Sequence, residues 1–596
     1  MLWTLATRIL VLEAIMLPAL GFICKRDYTI CETSLIVDYR LTMTHPLKWK
    51  VYPYQGKLYQ YNVTDPEDAT PIPTGEVITA DGWEEERLVI VANGTLPGPP
   101  IIVYEGQRLV VHVINKLHSD TVTLHWHGLP QHGTPGWMEL PSLHNVPFCQ
   151  VKASYDFIAR PRGTYWYHSH VGTQRTKGLY GALVVRDRND NMAEHNIVVQ
   201  GWNHHWSADM DQTMFKNDGI YESRVKWKNS YSLDGEFYST LLLTSAIING
   251  RGRYYINWVT QEHNNAPLSI FKVRQGQKYR FLVINADNLY PFRISVDNHN
   301  ISLVATDGYD IRPILAESFV IQAWERYDFV LTADQAIKNY RIRARTLEIE
   351  ADRIHRADAI LRYEKAEDDE PVSFPRPCSV DSKCLVVNWP FPYFPEDAFI
   401  DCLQVDNIEA FEINDPVPLA SDGRFREYFL NFAFPGIDGY GPSSVNGRRF
   451  ELPPVSALTQ PREIESGCDR TECGEEKVCE CTHTLSLDYG DVVQLVIMSM
   501  GKGAGGFHPI HLHGYSFYVL KVVFGNYDST TGHYIGPNTD DINCNGNGNH
   551  TTSLCNAAMW RNQSWGGDNI PGLNLLNPPR KDTILVPAGG YAVIRI

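Results

Sequence analysis

The sequence predicts an all-β protein built from three related units, and two observations carry that prediction. Helical periodicity is scarce along the 596 residues, while short β-branched and aromatic runs alternate with Gly, Pro and Asn turns. One segment also recurs. VYEGQRLVVHVIN (103–115), VRQGQKYRFLVIN (273–285) and LDYGDVVQLVIM (487–498) each join a glycine turn to an alternating apolar strand. The equivalent glycines are Gly106, Gly276 and Gly490, so the units differ in length.

Each recurring strand is followed by a second related segment: TLHWHG (123–128), FRISVDNHN (292–300) and HPIHLHG (508–514). A third follows: SYDFIAR (154–160), RYDFVLT (326–332) and YAVIRI (591–596). In the first unit it leads into GTYWYHSH (163–170) and in the second into NYRIRART (339–346). In the third unit it reaches Ile596, and the repeat predicts one or more further strands beyond that residue. The resulting division is a signal peptide at 1–21, an N-terminal extension at 22–75, and units at 76–190, 191–365 and 366–596, the last incomplete.

Composition narrows the setting. A 43% hydrophobic and 20% charged chain is ordinary for a globular protein. The net charge of −16 argues against nucleic-acid binding, which needs a basic patch. The first residues, MLWTLATRILVLEAIMLPALGF, carry one Arg before an apolar run ending in small residues, as a secretory signal does. No later segment approaches the ~20 apolar residues that span a bilayer. Sequons at Asn62, Asn93, Asn300, Asn549 and Asn562, with twelve cysteines, fit an exported, glycosylated, disulfide-bonded chain. Cys468, Cys473, Cys479 and Cys481 lack the C-x2-C spacing of common zinc modules, so disulfides are expected there and between Cys544 and Cys555; the pairing stays open.

The histidines carry the chemistry. Side chains alternate across a strand, so residues two apart share a face. In TVTLHWH, Val122, Leu124 and Trp126 face a core while Thr123, His125 and His127 face the other way. His168 and His170 form a second pair, and His511 and His513 a third. One H-x-H is commonly a hydrogen-bonded core feature; three, at equivalent points of a repeat, predict ligands. Six imidazoles exceed one tetrahedral site, so a polynuclear centre between the first and third units is expected. His508, three residues before His511, points to the opposite face and predicts a separate metal site. A blue-copper centre there would use two His and a Cys, and the nearby cysteines are committed elsewhere.

These motifs, HWHG (125–128), WYHSH (166–170) and HPIHLHG (508–514), resemble those of the multicopper oxidases, in particular the laccase-like branch of animals. The resemblance runs over most of the chain, including QGWNHHW (200–206), ERYDFVL (325–331) and NPPRKDTILVPAGGYAVIRI (577–596). It implies three cupredoxin-like Greek-key β-sandwich or barrel domains, the third incomplete. It also implies copper of type 1, type 2 and binuclear type 3. Electrons would pass from a small-molecule phenolic donor, or a metal ion in a ferroxidase-type alternative, to dioxygen, which becomes water. Transferred by position, His125 and His511 are implied as type 2 ligands, His127, His168, His170 and His513 as type 3 ligands, and His508 as a type 1 ligand.

The family has a fourth motif, H-C-H-x3-H, whose Cys binds type 1 copper; its expected place follows Ile596. An incomplete sequence is therefore expected, the alternative being a non-catalytic copper-binding extracellular protein. Two further departures concern loops. Where the family has Met-Asp-Gly, Glu139 follows Met138, shifted by one residue, which offers a carboxylate proton relay. Lys177 stands where Asp is common, and His132 and His144 read as surface residues.

Overall fold

The three predicted glycines all have left-handed backbone, with φ of 83° at Gly106, 84° at Gly276 and 85° at Gly490. A Cβ added at any of them would meet nothing within 4 Å, so backbone conformation, not space, selects glycine. Each turn opens a strand: Arg108–Asn115, Lys278–Asn285 and Asp491–Met498. Each of these strands pairs in parallel with an upstream strand, Ile30–Leu41, Ala193–Trp202 or Arg424–Ala433. On its other side it pairs antiparallel with a downstream strand, Lys152–Ile158, Arg326–Thr332 or Tyr591–Arg595. The same three-strand ladder therefore stands at the centre of every unit.

The protein is seen in a computed structural model that describes residues 21–596 apart from 132–151, 205–229, 434–442, 502–506, 545–553 and some shorter stretches. The signal-peptide assignment at 1–21 lies almost wholly outside the described residues, as do Met138, Glu139, His132 and His144. Among the described residues there is no α-helix, only strands and short 3-10 turns. The chain is all-β, in three cupredoxin-like sandwiches.

In the first unit, a four-stranded sheet lies over a five-stranded sheet that ends in Tyr180–Arg186, Gly163–Ser169 and Leu124–His127. Its core holds Val111, Val113, Leu124, Trp126, Tyr155 and Leu183. Arg108–Asn115 alternates between buried and less buried residues, as a sheet with one face toward the core should. The counterparts in the other units are buried on nearly every residue, because both faces are covered: Phe281 and Val283, with Leu495 and Ile497, lie in a cluster shared by the second and third units, Leu282 and Ile284 pack with first-unit residues, and Val496 and Met498 lie in a third-unit cluster.

Two stretches join sheets other than those expected from their place in sequence. Ile30–Leu41, within the stretch read as an extension, pairs with Leu88–Ala92 and Arg108–Asn115 of the first unit. Cys384–Val387 and Ile400–Leu403, placed in the third unit by sequence, extend a sheet of the second through Ser318–Ile321. Sheet pairing over such separations leaves no local pattern to read.

Five disulfides form among the described residues: Cys24–Cys31, Cys378–Cys384, Cys468–Cys481, Cys473–Cys479 and Cys544–Cys555. The expectation of disulfides in the 468–481 cluster and at 544/555 holds. Of the sequons, Asn300 and Asn562 are exposed, whereas the Asn93 amide donates to the Ser34 carbonyl at 3.1 Å and its oxygen accepts from Ile36 N.

Candidate metal centre

Leu124–His127 and Gly163–Ser169 are antiparallel neighbours, with His168 opposite His125 and Trp166 opposite His127. Alternation then does what the sequence predicts: Leu124 and Trp126 enter the core, and the imidazoles emerge on the other face. Of the third pair, His511 ends the strand His508–His511, which pairs with Thr583–Val586 so that His511 lies opposite Thr583, and His513 stands in the turn just beyond it.

The structure brings all six paired histidines together. Ring centroids of His125 lie 4.0 Å from His513, 5.0 Å from His127, 5.1 Å from His168, 5.3 Å from His511 and 5.9 Å from His170. His127 stacks on His511 at 3.6 Å, and His170 meets His513 at 5.1 Å. Ligand atoms fall within 4.8 Å of one another in the sets His125, His127, His168 and His125, His511, His513. His508 is in neither set; it lines a separate cleft and lies 6.4 Å from the parallel ring of Phe432.

Hydrogen bonds set which ring nitrogen is available. His511 Nδ1 donates to the Asp582 carbonyl at 2.8 Å, which turns its Nε2 toward His125 Nε2, 3.1 Å away. His168 Nδ1 donates to the Ser169 carbonyl at 2.9 Å, leaving Nε2 buried and without a hydrogen-bond partner. A buried imidazole nitrogen without a partner, beside other imidazoles, is free to take a metal ion. Two ring nitrogens on one tetrahedral ion at about 2.0–2.1 Å lie roughly 3.3 Å apart, close to the 3.1 Å between His125 and His511. Burial, then neighbouring histidines or Arg175, hold His125, His127 and His168 well below the usual imidazole range, in the neutral form that binds metal. The donor set fits copper.

One acidic residue was not foreseen from sequence. Asp582 Oδ1 lies 3.4 Å from both His127 Nε2 and His511 Nδ1. Thr583 Oγ1 is 3.2 Å from His511 Nδ1 and 3.4 Å from His127 Nε2. Burial would raise the Asp582 carboxyl, but the charge and hydrogen bonds of Arg326 hold it well below the carboxylate range. The only sequence signal was the run of charges at 580–582 just before an apolar strand. In the second unit, the equivalent of the histidine pair is DNHN, where Asp297 takes both arms of Arg343 at 2.7 Å and the Ser373 hydroxyl. There an ion pair occupies the place of a ligand pair. Lys177 is half-buried in the turn after Gly163–Ser169, its amide bonded to Thr173.

Family models described as "Multicopper oxidase" match residues 75–190, 197–366 and 452–596. The chain belongs to the multicopper oxidase family. Multicopper oxidases are copper-dependent oxidoreductases, and that class is this chain's. It is 28% identical to Laccase-1 of Trametes villosa over 465 residues, 75% of this chain and 76% of that protein. It is 29% identical to Laccase-2 of Agaricus bisporus over 495 residues, 80% of this chain and 82% of that one. Among solved structures, the fold matches Fet3p, a multicopper oxidase that functions in iron import, with TM-score 0.62 and 19% identity over 95% of this chain and 85% of that one. It matches a laccase from Botrytis aclada with TM-score 0.61 and 21% identity over 98% and 87%.

Proposed function

We propose that this multicopper oxidase takes single electrons from diphenol-like donors at the cleft beside His508 and delivers them to dioxygen at the six-histidine pocket. His125 and His511 would hold the type 2 copper, His127, His168, His170 and His513 would be ligands of the type 3 pair, and His508 would be one ligand of a type 1 copper whose Cys the family's fourth motif supplies. Copper bound there supplies one-electron redox chemistry and the four-electron reduction of dioxygen to water. The protein's own residues do the rest. Ser169 and Asp582 carbonyls fix two imidazole tautomers, and Trp126 and Leu124 exclude water behind the ligand strand. His508 and His511 are three residues apart on one strand, roughly 10 Å of strand rise, so the two metal sites are neighbours.

The observation that carries the phenolic reading is the character of the cleft. It has a volume of about 560 Å³ and is walled by Tyr428, Phe432, Phe450, Leu485 and Arg448 around His508. Among the described residues, no Asp or Glu lines it. A ferrous donor would be held by hard oxygen ligands, whereas an aromatic ring is held by apolar walls with a few polar groups. Small-molecule recognition outside the cell also fits the five disulfides, which persist in oxidising compartments.

Oxygen uptake by copper-loaded protein tests this. Catechol is expected to give a kcat/KM at least about tenfold above that of ferrous ion, the scale of discrimination a pocket of this kind supplies. Catechol binding by calorimetry, abolished by Leu485→Asp, reads the cleft independently of turnover. A preference for ferrous ion, or catechol binding unaffected by Leu485→Asp, would overturn the assignment.

A further inference from the structure

The second unit contributes no histidine pair, yet two of its residues reach the metal pocket. Arg326, 0% exposed, places Nη1 2.6 Å from Asp582 Oδ1 and Nη2 2.5 Å from Oδ2. That carboxylate touches His127 and His511. Asp307, also fully buried, holds the backbone at Asp582: its Oδ2 accepts from the amides of Asp582 at 3.3 Å and Thr583 at 3.2 Å. The two anchors are joined, since Asp307 Oδ1 accepts from the Arg326 amide at 2.9 Å. Lys581 closes the array, with Nζ 3.0 Å from Asp307 Oδ2, 3.2 Å from Glu325 Oε1 and 2.6 Å from Thr306 Oγ1.

Five ionisable side chains thus meet with almost no exposure, three from the second unit and two from the third. A buried carboxylate without a cation is strongly destabilised, so Asp582 keeps its place only while Arg326 faces it. The first unit makes room for this pair. At Gly128, in the HWHG motif, an added Cβ would lie 2.5 Å from Arg326 Nη2 and 2.9 Å from Asp582 Oδ2. All three units therefore converge on one ion pair behind the ligand histidines.

We propose that Arg326 and Asp307 are positioning residues for the copper cluster: they fix the bend at Asp582, between the strands Arg580–Lys581 and Thr583–Val586, and through it the orientation of His127 and His511. The copper-free unit is then a brace for a site held by its neighbours. This rests on the reading that the six histidines bind copper.

The test is copper retention by the whole chain against a competing chelator, with the type 2 electron paramagnetic resonance signal recorded alongside. Wild type holding copper at the cluster establishes the underlying reading; wild type holding none sinks that reading and this proposal together. Arg326→Gln is expected to retain copper about 10–100-fold more weakly, the usual effect of losing an outer-shell partner. Asp297→Asn breaks a comparable buried ion pair in the same unit away from the cluster and is expected to retain it fully. Arg326→Lys, which keeps charge without the fork, is expected to restore part of the retention with an altered hyperfine coupling. Undiminished copper in Arg326→Gln, or an equal loss in Asp297→Asn, overturns the proposal. If Arg326→Gln does not fold, Arg326→Lys decides: a wild-type signal from it refutes the brace.

Discussion

Replacing Gly128 by alanine separates two reasons a protein keeps a glycine. The residue has φ of 93°, and its missing Cβ would stand 2.5 Å from Arg326 Nη2, 2.6 Å from Tyr165 Cδ1 and 2.9 Å from Asp582 Oδ2. Left-handed backbone costs a non-glycine residue about 1–2 kcal/mol. Crowding a packed, buried contact costs about 1–3 kcal/mol more. Gly128→Ala is therefore expected to destabilise by about 2–5 kcal/mol in total. Gly106→Ala is the internal control, because its φ is 83° and nothing lies within 4 Å of its would-be Cβ. That variant is expected to lose only the conformational part, about 1–2 kcal/mol. Urea titration followed by tryptophan fluorescence reads both, since Trp126 and Trp166 are buried in the first unit and report the same transition. Equal losses in the two variants, or less than about 1 kcal/mol for Gly128→Ala, would refute the close-approach argument.

Asp297→Asn removes the charge that both arms of Arg343 meet at 2.7 Å, and is expected to cost about 3–5 kcal/mol in a urea titration. Cys468→Ser opens a loop of sequence separation 13 and is expected to lose about 3 kcal/mol, read by thermal unfolding of oxidised protein. Among the described residues Cys402 has no disulfide partner, and burial pushes its thiol up to about 12. Its alkylation at pH 8, followed by peptide mass spectrometry, is expected to run on the order of a thousandfold slower than that of an unperturbed cysteine. Because only the thiolate reacts, the rate should keep rising with pH above 10; a plateau near pH 9 would contradict the burial argument.

The histidine pairing was legible in the sequence because a strand's period of two is a local property: His125 and His127 must share a face whatever surrounds them. The repeat was legible for the same reason, since the left-handed turns at Gly106, Gly276 and Gly490 are written in single residues. His508 also followed from parity alone. Where segments pair was not legible. Ile30–Leu41 and Cys384–Val387 carry ordinary strand composition, and only the assembled sheets decide which neighbour they join.

Tertiary structure alone decided the array behind the histidines. Arg326 and Asp582 are separated by 256 residues, and Asp307 and Thr583 by 276. Each of these residues is unremarked in its own segment: an Arg opening a strand, an Asp in a turn, a charge between Lys and Thr. Their meaning comes from burial, which makes an unpaired charge so costly that position and partner must be specified together. Strand alternation turned His125, His127 and His168 toward the pocket, and docking of the three sandwiches fixed what stands behind them.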